Sequence, residues 1–267
     1  MACQADYDED GIENAIDLCP FQWGPSAEEQ PCVPRFDVWT YAYDVRALDG
    51  ATDATLAIGT AGGLYGLDGA GFQRRGFPDQ LDTMDIRSLT VEDSDWYVLT
   101  AQGLTIMDAN YPRATNVRAG TLPDAPVGAF RDVETFDGRV WLATDEGLNV
   151  FEEDAWSVWG EDVLGTTDIR GLYLDPVDRI WVLSDIGAAR VGNDGVEQSF
   201  DSLPPEVGAF HDAKDAGNGR TWLIAENGAV LLSAGDLVEA TLTGINPLDI
   251  GSAQESLIAT QDGVVRV

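Results

Sequence analysis

Acidic side chains near the amino terminus have the spacing of a calcium-binding loop. Three aspartates stand two residues apart, and Gly11 follows where a chain wrapped around an ion must turn sharply. Further oxygen donors come at the spacing of a loop that closes on itself, and calcium prefers about six to eight such oxygens. The pattern predicts a calcium site formed by Asp6, Asp8, Asp10, the backbone carbonyl of Ile12, Asn14 and Asp17. The alternative is an acidic, disordered tail.

The last ligand of this loop limits the expected affinity. Asp17 occupies the closing position, where a longer glutamate normally binds calcium through both carboxylate oxygens. A shorter side chain reaches the ion less well. We therefore expect a dissociation constant of about 0.1 to 1 mM, in the range of extracellular calcium modules.

The stretch DYDEDGIENAIDLCP, residues 6–20, resembles a thrombospondin type 3 repeat. The resemblance implies calcium held by the same six residues, with Asn14 bound directly or through water. Asn14 stands where that family usually has aspartate, and only one repeat is present.

Three cysteines lie in or next to this segment, so at most one intramolecular disulfide can form. Cys19 and Cys32 enclose a proline-rich loop that has little else to fix it, and we predict that they are paired. A bond between Cys3 and Cys19 is the alternative. With calcium, such a bond would order a segment too small for a core of its own.

A second set of chemically active residues recurs along the rest of the chain. Four arginines and the single histidine each follow an apolar residue near the start of a repeated unit. Chance would place about a third of one arginine on six equivalent positions. The series comprises Arg46, Arg87, Arg131, Arg170 and His211, with Asp249 as its expected sixth member.

Two interpretations of this series stay open. Guanidinium groups gathered at one place could bind a carboxylate, phosphate or sulfate. Alternatively, each arginine pairs with a neighbouring acid and only neutralises it. The neighbouring acids are Asp44, Asp85, Asp132, Asp168 and Asp212.

Composition excludes several classes of partner. The 267 residues contain 47 acidic and 15 basic side chains, which gives a net charge of −32. Such a surface repels nucleic acid and anionic membranes. No stretch is long and apolar enough to span a membrane as a helix.

We expect an exported protein at the bacterial cell surface, in the periplasm or outside the cell. No signal peptide is present, but Met1-Ala2 directly before Cys3 suggests that one was removed. Cys3 would then be the lipid-bearing first residue of a lipoprotein; an ordinary tail cysteine is the alternative.

A repeated pattern positions the arginine series. Six times, a β-branched or aromatic run ends in Thr, Ser or Ala, and a glycine followed by an apolar residue comes three residues later. The glycines are Gly63, Gly103, Gly147, Gly187, Gly228 and Gly263, separated by 40, 44, 40, 41 and 35 residues. Each unit predicts strand, turn and strand, with the glycine at positive φ. About forty residues with four short strands is the size of a propeller blade.

The ends of the chain favour a closed ring over a solenoid. Five units carry a strand after the glycine-led one, and the sixth does not. The stretch 35–41 resembles such outer strands and precedes the first unit, so we predict that it completes the last blade. The chain would then be an all-β, six-bladed propeller over 35–267, preceded by a calcium-binding segment at 1–34.

The segments DGRVWLATDEGLNVF, DRIWVLSDIGAARV and GRTWLIAENGAVLL resemble the two-component-regulator type of propeller repeat. That resemblance implies a propeller of the kind found in sensor regions and secreted bacterial proteins. Trp141, Trp181 and Trp222 begin second strands and are expected to pack between blades.

Three classes of function remain. The first is a non-enzymatic binding module for a small anion, a saccharide or a protein partner. The second is a calcium-dependent scaffold at the cell surface. The third is an enzyme resembling six-bladed lactonases or lyases, which the arginine series disfavours because a catalytic calcium does not suit a ring of guanidinium groups.

Overall fold

A computed structural model describes residues 45–50, 55–68, 71–75, 81, 83–92, 95–108, 114–120, 126–176, 179–192, 195–200, 203–244, 247–251, 257–260 and 263–266. The chain divides into two compact units, Met1–Tyr41 and Ala42–Val267. The described residues all belong to the second unit. The predicted boundary between residues 34 and 35 lies outside them.

The second unit is built from antiparallel sheets whose strands follow one another along the chain. The first blade contains β1 (Val45–Asp49), β2 (Thr55–Thr60), β3 (Gly63–Asp68) and β4 (Gly71–Arg75). The second contains β5 (Ile86–Glu92), β6 (Asp95–Thr100), β7 (Leu104–Asp108) and β8 (Ala114–Val117). The third contains β9 (Phe130–Phe136), β10 (Arg139–Thr144), β11 (Gly147–Glu152) and β12 (Ala155–Trp159).

A short helix, α1 (Glu161–Leu164), leads from the third blade into the fourth. The fourth blade contains β13 (Ile169–Leu174), β14 (Ile180–Ser184), β15 (Ala188–Gly192) and β16 (Gly195–Phe200). A 3-10 turn at Pro205–Val207 precedes the fifth, with β17 (Phe210–Gly217), β18 (Arg220–Ala225), β19 (Gly228–Leu232) and β20 (Val238–Thr243). A three-stranded sheet follows, formed by β21 (Pro247–Gly251), β22 (Leu257–Thr260) and β23 (Gly263–Arg266).

The first strands of successive blades line the axis of the propeller. β1 contacts β5, β5 contacts β9, β9 contacts β13 and β13 contacts β17, and β18 reaches β21 of the last sheet. The propeller fold and its repeated four-stranded unit are therefore confirmed.

The prediction of six complete blades is corrected, because the described residues form five four-stranded blades and one three-stranded sheet. Among those residues no fourth strand pairs with β23. The predicted closing strand, residues 35–41, lies outside the described part of the chain. Closure of the sixth sheet therefore stays a prediction.

In the first four blades the second strand ends in a Thr or Ser whose hydroxyl fixes the following turn, whereas the fifth blade has Ala225 at this position. In the third blade the Thr144 hydroxyl donates to the Gly147 carbonyl at 2.7 Å and accepts the Glu146 amide at 3.2 Å. Thr60 and Thr100 form the same pair of bonds. A buried hydroxyl thus satisfies backbone groups that the tight turn leaves unpaired.

Different glycines of the repeat are required for different reasons. Gly63 and Gly147 have φ values of 139° and 128°, as the turn prediction required. Gly228 does not have a positive φ; there, a Cβ atom would lie 2.0 Å from the Leu242 carbonyl oxygen. At Gly228 the cause is therefore the closeness of the outer strand β20, and the predicted left-handed backbone is wrong.

The core lies between neighbouring blades. Trp181 packs with Phe210, Leu223 and Val230 of the next blade. Trp141 likewise packs with Leu172 of the fourth blade. Trp141, Trp181 and Trp222 are at most 1% exposed, which confirms their predicted place in the core.

Candidate site at the axis of the propeller

Each member of the arginine series stands on a β-bulge. In the first blade Val45 pairs with Thr60 and Ala47 with Gly59, which leaves Arg46 without a partner residue. The register skips Arg87, Arg131, Arg170 and His211 in the same way. A bulge redirects the side chain of its extra residue. The repeated backbone therefore places these side chains at equivalent positions near the start of each inner strand.

The last sheet breaks the expected series. Pro247 pairs with Thr260 and Asp249 with Ala259, so the bulged residue is Leu248. Asp249 instead has the register of Asp132, one position after the bulge. The alignment of Asp249 with the arginines is thus corrected by one residue.

Two arginines form ion pairs that join neighbouring blades. Arg46 Nη1 lies 2.6 Å from Asp85 Oδ1, just ahead of β5. Arg131 Nη1 contacts Asp168 Oδ1, just ahead of β13. In both cases the acid stands two residues before the arginine position of the next blade. The interpretation that neighbouring acids neutralise the arginines is therefore confirmed for Arg46 and Arg131.

Arg170 is also neutralised, by Asp168, which it shares with Arg131, and by Glu226. Its Nε lies 3.2 Å from Asp168 Oδ2 of its own blade, and its Nη1 contacts Glu226 in the turn between β18 and β19. Burial works to raise the pKa of Asp168, but the Arg131 and Arg170 guanidinium groups hold that pKa below its ordinary value. Asp168 therefore stays ionised between two cations.

Arg87 differs from the other arginines of the series. Like Arg46 it is exposed, but no acid among the described residues pairs with it. The position that supplies an acid elsewhere is Ala129 in the third blade, so nothing there accepts the guanidinium. His211, on the fifth blade, is partly exposed. Of the series members whose side chains the structure describes, Arg87 and His211 are therefore the two that no described acid neutralises.

Asp132, one residue after a bulge, joins three blades. Its Oδ1 accepts the Ser88 hydroxyl of the second blade at 2.6 Å, and its Oδ2 accepts the Leu172 amide of the fourth at 2.8 Å. It also accepts the amide of Val133. Burial raises its pKa to about 6, although these hydrogen bonds oppose the shift. The neutralising interpretation predicts Asp132 as a partner for an arginine. Its carboxylate instead accepts hydrogen bonds from the Ser88 hydroxyl and from the Val133 and Leu172 backbone amides of the inner strands.

A second layer of polar groups lies further along the same strands. Asp49 Oδ2 accepts the Val91 amide at 2.7 Å and the Thr90 hydroxyl at 3.1 Å. The Thr90 hydroxyl also lies 3.5 Å from Glu134 Oε2. Burial, together with the charges of Asp132 and Asp49, raises the pKa of Glu134 well above its ordinary value.

Sequence reasoning missed Asp49, Thr90 and Glu134. They stand three residues after a bulge, and alternation along a strand puts that position on the side of the residue after the bulge. An alignment of inner strands that allowed for the bulge would have revealed the two polar layers. Asp212 occupies the Asp132 position of β17, where it accepts the Ala213 amide at 2.7 Å.

The amino-terminal predictions fall outside the described residues. These are the calcium ligands Asp6, Asp8, Asp10, Ile12, Asn14 and Asp17, the disulfide between Cys19 and Cys32, and the lipid anchor at Cys3. Asp44 lies there too. Within the described part, no group of three or more His, Cys, Asp or Glu side chains is arranged to hold a metal, and no helix has the length and apolarity to cross a membrane.

Comparison with known families and sequences supports the amino-terminal resemblance. Residues 2–24 match the thrombospondin type 3 repeat family. No curated protein matches the chain.

Solved structures share the propeller fold at low sequence identity. An extracellular domain assigned to a one-component system of B. thetaiotaomicron is 15% identical with a TM-score of 0.67, over 85% of this chain and 32% of that one. One from a hybrid two-component system of the same organism is 19% identical with a TM-score of 0.65, over 89% and 34%. This chain therefore spans about a third of the length of either.

An enzyme also shares the fold. Virginiamycin B lyase from Staphylococcus aureus, as a catalytically inactive histidine-to-alanine variant with quinupristin, is 12% identical with a TM-score of 0.61, over 82% of this chain and 78% of that one. Together these similarities define the class of protein as a β-propeller related in fold to extracellular domains of bacterial regulatory systems.

Proposed function

We propose that this chain is an exported, non-enzymatic binding module that recognises an anionic ligand at the mouth of its axis. One observation carries this proposal. Arg87 lies on a bulge, and the residue of the third blade that stands where an acid pairs with Arg46 and Arg131 is Ala129. Arg87 is exposed there, whereas Arg46, Arg131 and Arg170 are neutralised by acids. An unpaired guanidinium binds a carboxylate, phosphate or sulfate through two parallel hydrogen bonds. The fold shared with extracellular regulatory domains supports the exported, recognising role.

Anion binding can be tested by isothermal titration with succinate, inorganic phosphate and sulfate. We expect one of these anions to bind and Arg87→Ala to weaken it at least tenfold. Arg139→Ala is the matched control, because Arg139 is paired with Glu152 at 2.6 Å in another part of its blade. Equal affinity of both variants for every anion would contradict the proposal.

The amino-terminal segment is proposed to bind calcium as a structural ion. All six predicted ligands supply oxygen, which is the donor type that calcium prefers. Titration should give a dissociation constant of about 0.1 to 1 mM that Asp8→Asn and Asp10→Asn each weaken strongly. No heat of binding at millimolar calcium would remove this part of the proposal.

A lyase-like enzyme is the second candidate, and one observation favours it. His211 is partly exposed at a bulge on the inner strand β17, and the lyase that shares the fold loses activity when a histidine is replaced. Turnover of quinupristin, followed by mass spectrometry and abolished by His211→Ala, would favour the enzyme. Unchanged quinupristin leaves the binding module preferred.

A further inference from the structure

Exposed apolar side chains cluster on one edge of the third and fourth blades. Val127, Val158, Val163 and Ile186 are 36%, 46%, 39% and 52% exposed. They come from four separate stretches: the entry to β9, the end of β12, the helix α1 and the turn between β14 and β15. We call these four residues the apolar patch.

Close contacts connect these stretches. A Cβ atom on Gly147 would lie 3.0 Å from Val158 Cγ1, and one on Gly165, directly after α1, would lie 3.7 Å from Ile186 Cδ1. Ala129 donates its amide to Asp145 Oδ1 at 2.6 Å, which ties the entry of β9 to the turn before Gly147. These contacts hold the entry to β9 against the turn before Gly147, that turn against the end of β12, and the end of α1 against the turn that carries Ile186.

A shallow depression lies beside Ile186 in the fourth blade. Its lining includes Leu164, Thr166, Ile169 and Ser184. Thr166 donates to Asp185 at 2.8 Å, so the loop after α1 is held against the turn that carries Ile186. The depression is thus a small, fixed notch next to the exposed Ile186 side chain.

Acids border the patch. The exposed acidic residues in the same stretches are Asp145, Glu146, Glu161, Asp162 and Asp185. Among the described residues of these stretches, residues 126–129, 145–147, 158–165 and 185–187, there is no basic side chain. An apolar surface with an acidic border complements a segment in which basic and apolar residues alternate.

The charge of the whole chain decides which occupant fits. A second copy would bring another acidic border against this one, in a protein of net charge −32. Like charges brought together at an interface oppose association. The patch therefore suits a foreign, cationic partner and disfavours self-association.

We propose that the apolar patch docks a short peptide segment of a partner protein, in which lysine or arginine flanks apolar side chains. The depression takes one apolar side chain, and the acidic border pairs with the basic residues. This interaction does not rest on Arg87 or on an anion at the axis.

A fluorescein-labelled peptide of ten alternating lysine and leucine residues is a direct probe. Its binding is measured by fluorescence anisotropy with the full chain at about 150 mM salt, where weak long-range attraction is screened. The double variant Val163→Ser and Ile186→Ser should weaken binding at least fivefold. Glu161→Gln with Asp162→Asn should weaken it and reduce its dependence on salt.

Leu237→Ser with Val238→Ser is the matched control, because these residues are 72% and 47% exposed on the fifth blade. That variant and Arg87→Ala should bind the peptide as the unsubstituted protein does. The proposal would be overturned if the Val163/Ile186 variant and the Leu237/Val238 control lost affinity for the peptide equally. It would also be overturned if the unsubstituted protein bound a peptide of alternating lysine and serine as tightly as the lysine and leucine peptide. Because the anion titration depends on Arg87 alone, its failure is separable from failure here.

Discussion

At the scale of single residues, the carboxylates inside the axis have unusual protonation. The pKa of Asp132 is raised to about 6, and the pKa of Glu134 is raised well above its ordinary value. In both cases the main cause is burial, which disfavours the charged form. Their unfolded pKa values are close to 4. At pH values between the unfolded-state pKa and the raised folded-state pKa, the folded state therefore binds more protons than the unfolded state.

We predict that this proton uptake stabilises the protein as the pH falls from 8 towards 5. A raised folded-state pKa contributes stability that is complete below the unfolded pKa and is lost as the pH rises through the folded one. The melting temperature should therefore be higher at pH 5 than at pH 8. Differential scanning calorimetry across this range measures the effect.

The net charge also becomes less negative at low pH, so a variant must separate the two causes. Glu134→Gln removes a titrating group and keeps its shape, and its melting temperature should depend less steeply on pH. Glu153→Gln, the same change at an exposed acid, is the control and should keep the slope of the unsubstituted protein. A Glu134→Gln slope equal to that of the control would contradict the prediction.

Gly171 marks the closest approach of two inner strands. A Cβ atom there would lie 2.1 Å from the His211 carbonyl oxygen of the next blade. We predict that Gly171→Ala lowers the free energy of unfolding by about 2–3 kcal/mol, because both backbones must separate. Urea denaturation of this variant tests it, with Gly160→Ala as control, since the nearest atom there is 3.7 Å away. Equal stability of the two variants would show that the blades adjust freely.

At the scale of the blade, a single hydroxyl organises the turn between the second and third strands in each of the first four blades. We predict that Thr144→Ala lowers the free energy of unfolding by about 1–2 kcal/mol, because the Gly147 carbonyl, the Glu146 amide and the Asn149 side-chain amide each lose one hydrogen-bond partner. Thr144→Ser keeps the hydroxyl and should cost less. Thermal unfolding of both variants measures the difference. If serine is no better than alanine, the methyl packing and not the hydrogen bonds fixes the turn.

The blade pattern also shows where sequence reasoning succeeds. The spacing of Thr144 and Gly147 repeats because each turn needs the same bonds, so element type and order could be predicted from it. The pattern predicts outer strands at 71–75, 116–119, 155–159, 196–200 and 237–242, and all five lie within two residues of β4, β8, β12, β16 and β20. The bulges were not predictable, because an extra residue in an edge strand leaves no mark in the hydrophobic pattern.

At the scale of the whole molecule, charge repulsion competes with local ion pairs. The net charge of −32 destabilises the compact state, while pairs such as Arg46 with Asp85 stabilise it. Exposed pairs contribute little, about 0–1 kcal/mol each. Repulsion should therefore dominate the response to salt.

We predict that raising sodium chloride from about 20 mM to 500 mM increases the melting temperature, because salt screens the repulsion between acids. Scanning fluorimetry at constant pH measures this. Choline chloride serves as a control for specific sodium binding and should give the same rise. A falling melting temperature would mean that the interblade ion pairs outweigh the net charge.

The sequence by itself determined the repeat, the strand order, the buried tryptophans and the acidic surface. These follow from local spacing and composition, which each unit carries within itself. The pairing of Arg46 and Arg131 with acids of the next blade, and the lack of such an acid for Arg87 among the described residues, were decided only by the tertiary structure. They depend on which residue of one blade meets which residue of the next, and that register is set by bulges and by backbone contacts between inner strands.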